Sequence, residues 1–312
     1  MKKNKEIDFI RFILITLVIL IHIVYFGNLY PTTKNVILSF LMPTFLLITG
    51  YLVNIKKTIK EFSLYLMRII LPYVIFVTGF SILSYYLPVR DGITEISMPV
   101  ICNKIFITSI GPYWFLHTMI VCGILYYISF KIIARTTFGN NNKLVIFALM
   151  LIIVALCTPL LPIKNAIYYF AGAVIRQTKT DFSKFFKMSG FSLFPIVILL
   201  SREEFRDWGA ISILVVVFCT ISFLRYINSL VHHSLIYKYM TFIGQNTLPI
   251  YIFHPIFTMI AKFYLPFFKF DPSGLIFTLT TIILCISGSL LMAMIMDKTR
   301  TSYIFGKKNI LR

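Results

Sequence analysis

Ten apolar runs of helix length, broken only by short polar connections, constrain this chain more than any other feature. They cover residues 7–27, 36–53, 64–87, 112–134, 144–162, 165–177, 186–201, 208–227, 247–266 and 274–296. A membrane core about 30 Å thick takes about 20 apolar residues in a helix, whereas a barrel strand needs about half as many and alternates in polarity. The runs therefore read as membrane helices. The sixth and seventh are short for a full crossing and are expected to tilt, to thin the bilayer or to lie half-buried. Of the 312 residues, 58% are hydrophobic and only 13% charged, so a soluble domain of this size would lack the polar surface it needs. The expected fold class is an all-α integral membrane protein, a bundle of about ten transmembrane helices forming a single domain over residues 1–312.

The net charge of +19 would suit nucleic acid if it formed a continuous basic face. It does not: the basic residues sit in the connections, where topology and anionic lipid headgroups account for them. Lys2, Lys3 and Lys5 precede the first run, Lys56, Lys57 and Lys60 follow the second, and Lys131, Arg135 and Lys143 follow the fourth. The intervening connections hold fewer, such as Lys34 and Arg90. This alternation predicts cytoplasmic N- and C-termini in a multi-pass protein of a bacterial cytoplasmic membrane, with the mixed-sign stretch REEFRD, residues 202–207, outside. The opening MKKNK imitates a signal peptide, but no small-residue cleavage site follows, and a retained helix is expected. The cysteines have no metal-ligand spacing, no HExxH or paired-carboxylate motif is present, and neither a metal nor a disulfide is expected.

The first run, IDFIRFILITLVILIHIVYF, carries Asp8, Arg11 and His22, which a plain anchor does not need. On a helix, Arg11 and His22 fall within about 20° of each other and about 16 Å apart along the axis, with Asp8 about 40° to the other side. Such a stripe must face protein or a water-filled cavity. His22 is either a packing histidine or a general base or nucleophile kept neutral by burial. Arg11 and Asp8 are either an interfacial ion pair or, for Arg11, a phosphate ligand for a cytoplasmic anionic cofactor.

Other polar residues have two readings each. Lys56, Lys57, Lys60 and Arg68 suit topology or phosphate binding. Tyr113 and Trp114, in GPYWFLHTM, suit an interfacial belt or a sugar-stacking platform, with His117 one turn deeper. In FLMPTFLLITGYLV, Pro43 and Gly50 bend a helix or admit a neighbour. In FIGQNTLPIYIFHPIF, Gly244, Gln245, Asn246 and Thr247 read as a turn that caps a helix start, Tyr251 and His254 share a face, and Pro255 frees a backbone carbonyl that can bond the His254 ring or line a cavity.

Taken together, IDFIRFILITLVILIH, FLMPTFLLITGYLV, RIILPY, YWFLH and FIGQNTLPIYIFH resemble the membrane-bound acyltransferase-3 family, and within it the sugar O-acetylases related to fucose 4-O-acetylase. The resemblance runs from residue 6 to about residue 296. It implies acetyl transfer from cytoplasmic acetyl-CoA, the acyl donor, to a hydroxyl of a cell-envelope or exopolysaccharide carbohydrate, lipid-linked or polymerised. It implies His22 and Arg11 as catalytic residues, donor binding by Arg11, Asp8, Arg68, Lys56 and Lys57, and acceptor binding by Trp114, Tyr113, His117, Tyr251 and His254. The family's Arg-x-x-Arg pair before the third helix is here Tyr65 and Arg68, so the donor site departs from the pattern at that point. The rival reading is a carrier or exporter of lipid-linked sugar, with the histidines handling protons or hydroxyls.

Overall fold

In a computed structural model of the protein, the described residues are 4–86, 91–133 and 139–312. Lys2, Lys3, Arg90 and Arg135, which contribute to the charge pattern, lie outside them. The fold is 80% helix, with no strand among the described residues. The helices are α1 (Lys5–His22), α2 (Val24–Leu29), α3 (Pro31–Leu52), α4 (Ile59–Tyr86), α5 (Met98–Asn103), α6 (Trp114–Tyr127), α7 (Asn140–Cys157), α8 (Ile163–Gln177), α9 (Phe182–Phe185), α10 (Leu193–Ser201), α11 (Ile211–Val231), α12 (Tyr237–Gln245), α13 (Thr247–Tyr264) and α14 (Leu275–Lys298).

Each of the ten apolar runs contains a helix. Among the described residues, six helical segments are long and apolar enough to cross a membrane: α3, α4, Gly111–Lys131, α11, Thr247–Phe268 and α14. The other four fall short for different reasons. α1 carries Lys5, Glu6, Asp8 and Arg11; the apolar part of α7 is only Asn142–Cys157; and α8 and α10 have 15 and 9 residues. Nine residues rise only about 14 Å. Three helices lie outside the expected runs: α5, which continues into a π-helical turn at Lys104–Thr108, the single turn α9, and α12.

The local signals are ordinary ones. Asn4 caps α1 by accepting the Glu6 and Ile7 amides at 3.0 and 3.3 Å, and Glu6 and Asp8 lie in the first turn, where the helix dipole favours acid. Thr58 and Glu61 form a reciprocal capping box at the start of α4, with Thr58 N–H donating to Oε2 of Glu61 at 2.9 Å and Glu61 N–H to Oγ1 of Thr58 at 3.3 Å. Asn246 alone interrupts the helical path between α12 and α13, with φ −105° and ψ 28°; Gly244 and Gln245 still belong to α12 and no side chain caps α13, so the capping turn expected at residues 244–247 shrinks to one residue.

The helices form two compact units. The first comprises 1–45, 181–303 and 308–312, the second 46–180 and 304–307. In the first, α1 packs against α11, α12, α13 and α14. Gly244 of α12 sits where an added Cβ would overlap the Asp8 carbonyl, so α12 and α1 touch backbone to backbone. In the second unit α3 and α8 make the same kind of contact twice: a Cβ on Gly50 would overlap the Tyr169 carbonyl, and one on Gly172 the Leu47 carbonyl. The close approach expected at Gly50 is therefore present. Around it Cys122, Tyr126, Phe147, Tyr169 and Ala173 make a buried core.

Candidate active site

The α1 stripe meets α13 at both of its ends. Arg11 extends a guanidinium nitrogen to Oγ1 of Thr247, the first residue of α13, while its other terminal nitrogen lies 3.6 Å from Asp8. At the far end of α1 the His22 ring meets the His254 ring of α13, centroids 5.1 Å apart and planes at 69°. Thr247 and His254 are seven residues apart on α13, about 20° short of two turns, so they share a face. One face of α1 thus meets one face of α13. Their axial spans, about 16 Å and about 10 Å, differ by an amount the long Arg11 side chain can bridge. The stripe faces protein, as its chemistry requires.

Both imidazoles of this pair are fixed by backbone carbonyls of their own helices. Nδ1–H of His22 donates to the Val18 carbonyl at 2.7 Å. Nδ1–H of His254 donates to the Tyr251 carbonyl at 2.9 Å, with the Ile250 carbonyl at 3.2 Å. The Tyr251 carbonyl is available because Pro255, four residues on, has no N–H to give it. A carbonyl only accepts, so each Nδ1 carries the hydrogen, and in the neutral ring each Nε2 keeps its lone pair. Nε2 of His254 is fully buried and has no hydrogen-bond partner. His22 is half-buried. The Tyr251 ring lies 5.8 Å from His254 and is itself buried. The geometry provides two unprotonated imidazole nitrogens in one neighbourhood, a place suited to a proton donor such as a hydroxyl group.

The Lys5 end of α1 is held by residues that the sequence did not single out. Arg225 of α11 is 2% exposed; its Nε and Nη2 donate to Glu6 at 3.1 and 3.2 Å, and its Nη1 to the Ser183 carbonyl at 2.7 Å and to the Phe186 carbonyl. Tyr237 of α12 packs on Phe9, ring centroids 6.1 Å apart, and burial pushes its hydroxyl pKa above the ordinary range, with Glu6 and Asp8 adding to the shift. Asn246, next to Thr247, accepts the Arg312 amide at 2.9 Å. In the sequence Arg225 looks like one more loop cation, because its partner lies 219 residues away.

The other expected site residues belong to the second unit. Tyr113 is 1% exposed, its ring packed on Phe76 and Phe80 with centroids 6.2 and 5.7 Å away, so it is a core residue with no face for a sugar. Nε2–H of His117 donates to the Phe106 carbonyl at 3.1 Å, and Tyr73 donates its hydroxyl to the Ile105 carbonyl at 2.7 Å; together they pin the π-helical turn. Trp114 is half-buried, edge-on to Phe115. Lys56 and Arg68 are exposed, Lys57 lies over the Tyr65 ring at 4.4 Å, and Nε of Arg68 donates to the Gly306 carbonyl at 3.1 Å. The stripe and Tyr251–His254 are thus brought together, while these six residues lie in the other unit.

The model of the acyltransferase-3 family, described as an acyltransferase domain, matches residues 4–295. No curated protein and no solved structure matches the chain.

Proposed function

The chain belongs to the acyltransferase-3 family, and from that membership we propose that this multi-pass membrane acyltransferase is an O-acetyltransferase, moving acetyl from cytoplasmic acetyl-CoA to a hydroxyl of a cell-envelope or exopolysaccharide sugar. The observation that carries the reading is the His22–His254 pair, with both Nδ1 atoms committed to carbonyls and Nε2 left as the basic nitrogen. In this scheme Nε2 of His22 takes the proton of the acceptor hydroxyl as its oxygen attacks the thioester carbon. The carbon–sulfur bond breaks and the departing thiolate receives the proton from the imidazolium. His254 and Tyr251 orient the hydroxyl.

Arg11 binds a donor phosphate. That role is supported by the planar guanidinium, whose geometry matches phosphate, at the Lys5 end of α1. Lys56, Lys57 and Arg68 form a second anion-binding group within their own unit, supported by their charge and by the exposure of Lys56 and Arg68. The proposed topology is ten crossings with both ends cytoplasmic, supported by the alternating charge of the connections. It puts Arg11 near the donor's side and His22 toward the acceptor's. Membership of an acyltransferase family sets aside the carrier reading.

Replacing His22 with Ala tests the scheme. A general base contributes typically 10²–10⁴-fold, so acetyl transfer from labelled acetyl-CoA to the envelope glycan should fall at least about 100-fold, with membrane insertion unchanged. Retained acetylation would defeat the role given to His22.

A further inference from the structure

The first unit carries an open surface depression of about 400 Å³ away from the histidine pair, lined by Asn35, Leu38 and Ser39 of α3 and by Glu203, Arg206 and Trp208 of the connection before α11. Its volume lies in the range of small-ligand sites. The connection that forms one wall is braced. Nε of Arg206 donates to the Leu200 carbonyl at 2.7 Å and Nη2 to the Ser201 carbonyl at 3.3 Å, and Ser212 donates its hydroxyl to the Phe205 carbonyl at 2.9 Å. Trp208 donates its indole N–H to the Leu38 carbonyl at 3.3 Å, which ties the connection to α3 and fixes the plane of the ring.

The chemistry of the lining is selective. Arg206, with a side chain 13% exposed, pairs with Glu203 at 3.6 Å, whose side chain is 90% exposed. The pair is neutral overall, so an anionic ligand finds no net attraction. The lining offers an indole surface, a carboxylate that only accepts, a guanidinium that only donates, an amide that does both, and the Ser39 hydroxyl, which gives its hydrogen to the Val36 carbonyl at 2.7 Å and is left to accept. That combination matches a ring with one apolar C–H face and a rim of hydroxyls, each able to donate and accept. We propose that this depression is a binding subsite for a neutral pyranose of the acceptor glycan. The proposal rests on the acceptor being a carbohydrate that arrives at the His22 end of α1. The chain needs only the short α2 to pass from His22 to the first turns of α3, which carry the depression.

The two tryptophans of the chain, Trp114 and Trp208, make the test direct. The full protein in lipid nanodiscs is titrated, without acetyl-CoA, with methyl glucopyranoside, methyl galactopyranoside and sodium glucuronate, and tryptophan emission is followed. The expected result is a saturable change with at least one neutral glycoside, weaker with glucuronate, that persists in Trp114→Phe and disappears in Trp208→Phe. Glu203→Gln, at an exposed position, should weaken it roughly tenfold, because a charged acceptor is replaced by a neutral one. A response that survives Trp208→Phe, that fails in Trp114→Phe, that is indifferent to Glu203→Gln, or that is stronger with glucuronate overturns the assignment, as does no saturable response at all. Transfer from labelled acetyl-CoA is scored separately. Sugar binding without transfer would count against the acetyltransferase reading alone, and transfer without a Trp208 response against this depression alone.

Discussion

At the scale of single residues, the α1–α13 contact is made by few side chains, and the sequence revealed them unevenly. Arg11 and His22 were legible because helical periodicity alone puts them on one stripe. Their partners were only half legible. His254 and the carbonyl freed by Pro255 could be read locally, but nothing local says that His254 meets His22 or that Thr247 meets Arg11. Tyr113 was legible as an aromatic residue near a helix start, yet its burial depends on Phe76 and Phe80 of another helix. Arg225 was not legible at all. Breaking a buried ion pair by removing one partner typically costs about 3–5 kcal/mol, because the other charge is left without compensation. Arg225→Ala should therefore lower the denaturation midpoint of the detergent-solubilised protein strongly. Glu6, with a side chain 27% exposed, can regain water, so Glu6→Gln should cost less. Equal and small effects would mean that the pair does not anchor α1.

At the scale of elements, close backbone approach and end-capping decide where helices sit. Gly172 allows α8 to reach the Leu47 carbonyl of α3, and a Cβ there would also lie 2.8 Å from the Tyr51 nitrogen. Gly172→Ala should cost about 1–3 kcal/mol by overpacking, read as a lower unfolding midpoint. An unchanged midpoint would show that the helices can part without loss. α14 begins after Asp271, whose carboxylate accepts from the Ser273 hydroxyl at 2.5 Å and from the Ile276 amide at 2.7 Å. The Ser273 hydroxyl first, and backbone amides with it, hold the Asp271 pKa below the usual carboxylate value. A lowered folded-state pKa stabilises above the unfolded value, about 3.9, and that contribution is lost as pH falls through the folded value. The difference in unfolding midpoint between wild type and Asp271→Ala should be full at neutral pH and narrow on acidification below about pH 4. A difference that does not change with pH would remove the carboxylate charge from the account. The elements the sequence missed, α5, α9 and α12, are short, and each is held by distant residues: Tyr73 and His117 for the turn after α5, Arg225 for α9, Asp8 and Phe9 for α12.

At the scale of the whole molecule, the all-helical membrane class was legible from the apolar runs, whereas the number of crossings was not. Length and composition qualify six helical segments, and α1, α7, α8 and α10 must cross, if they do, with help from tilt, thinning or neighbouring protein. Cys102, an exposed thiol in α5, gives a way to check orientation. In the proposed topology a variant keeping Cys102 as its one cysteine is modified by a membrane-impermeant maleimide on intact cells. Modification only after permeabilisation would invert that part of the topology. The order of synthesis raises a further problem for the cell. α1 leaves the ribosome before α13, and Arg11 meets Thr247 only after 236 more residues have been made. At 5–20 residues per second that is roughly 10 to 50 s. Throughout that interval a guanidinium, a carboxylate and an imidazole must be tolerated by lipid or shielded by an insertion factor. Biogenesis, more than the stability of the finished enzyme, is then the stage at which damage to this first segment would be felt.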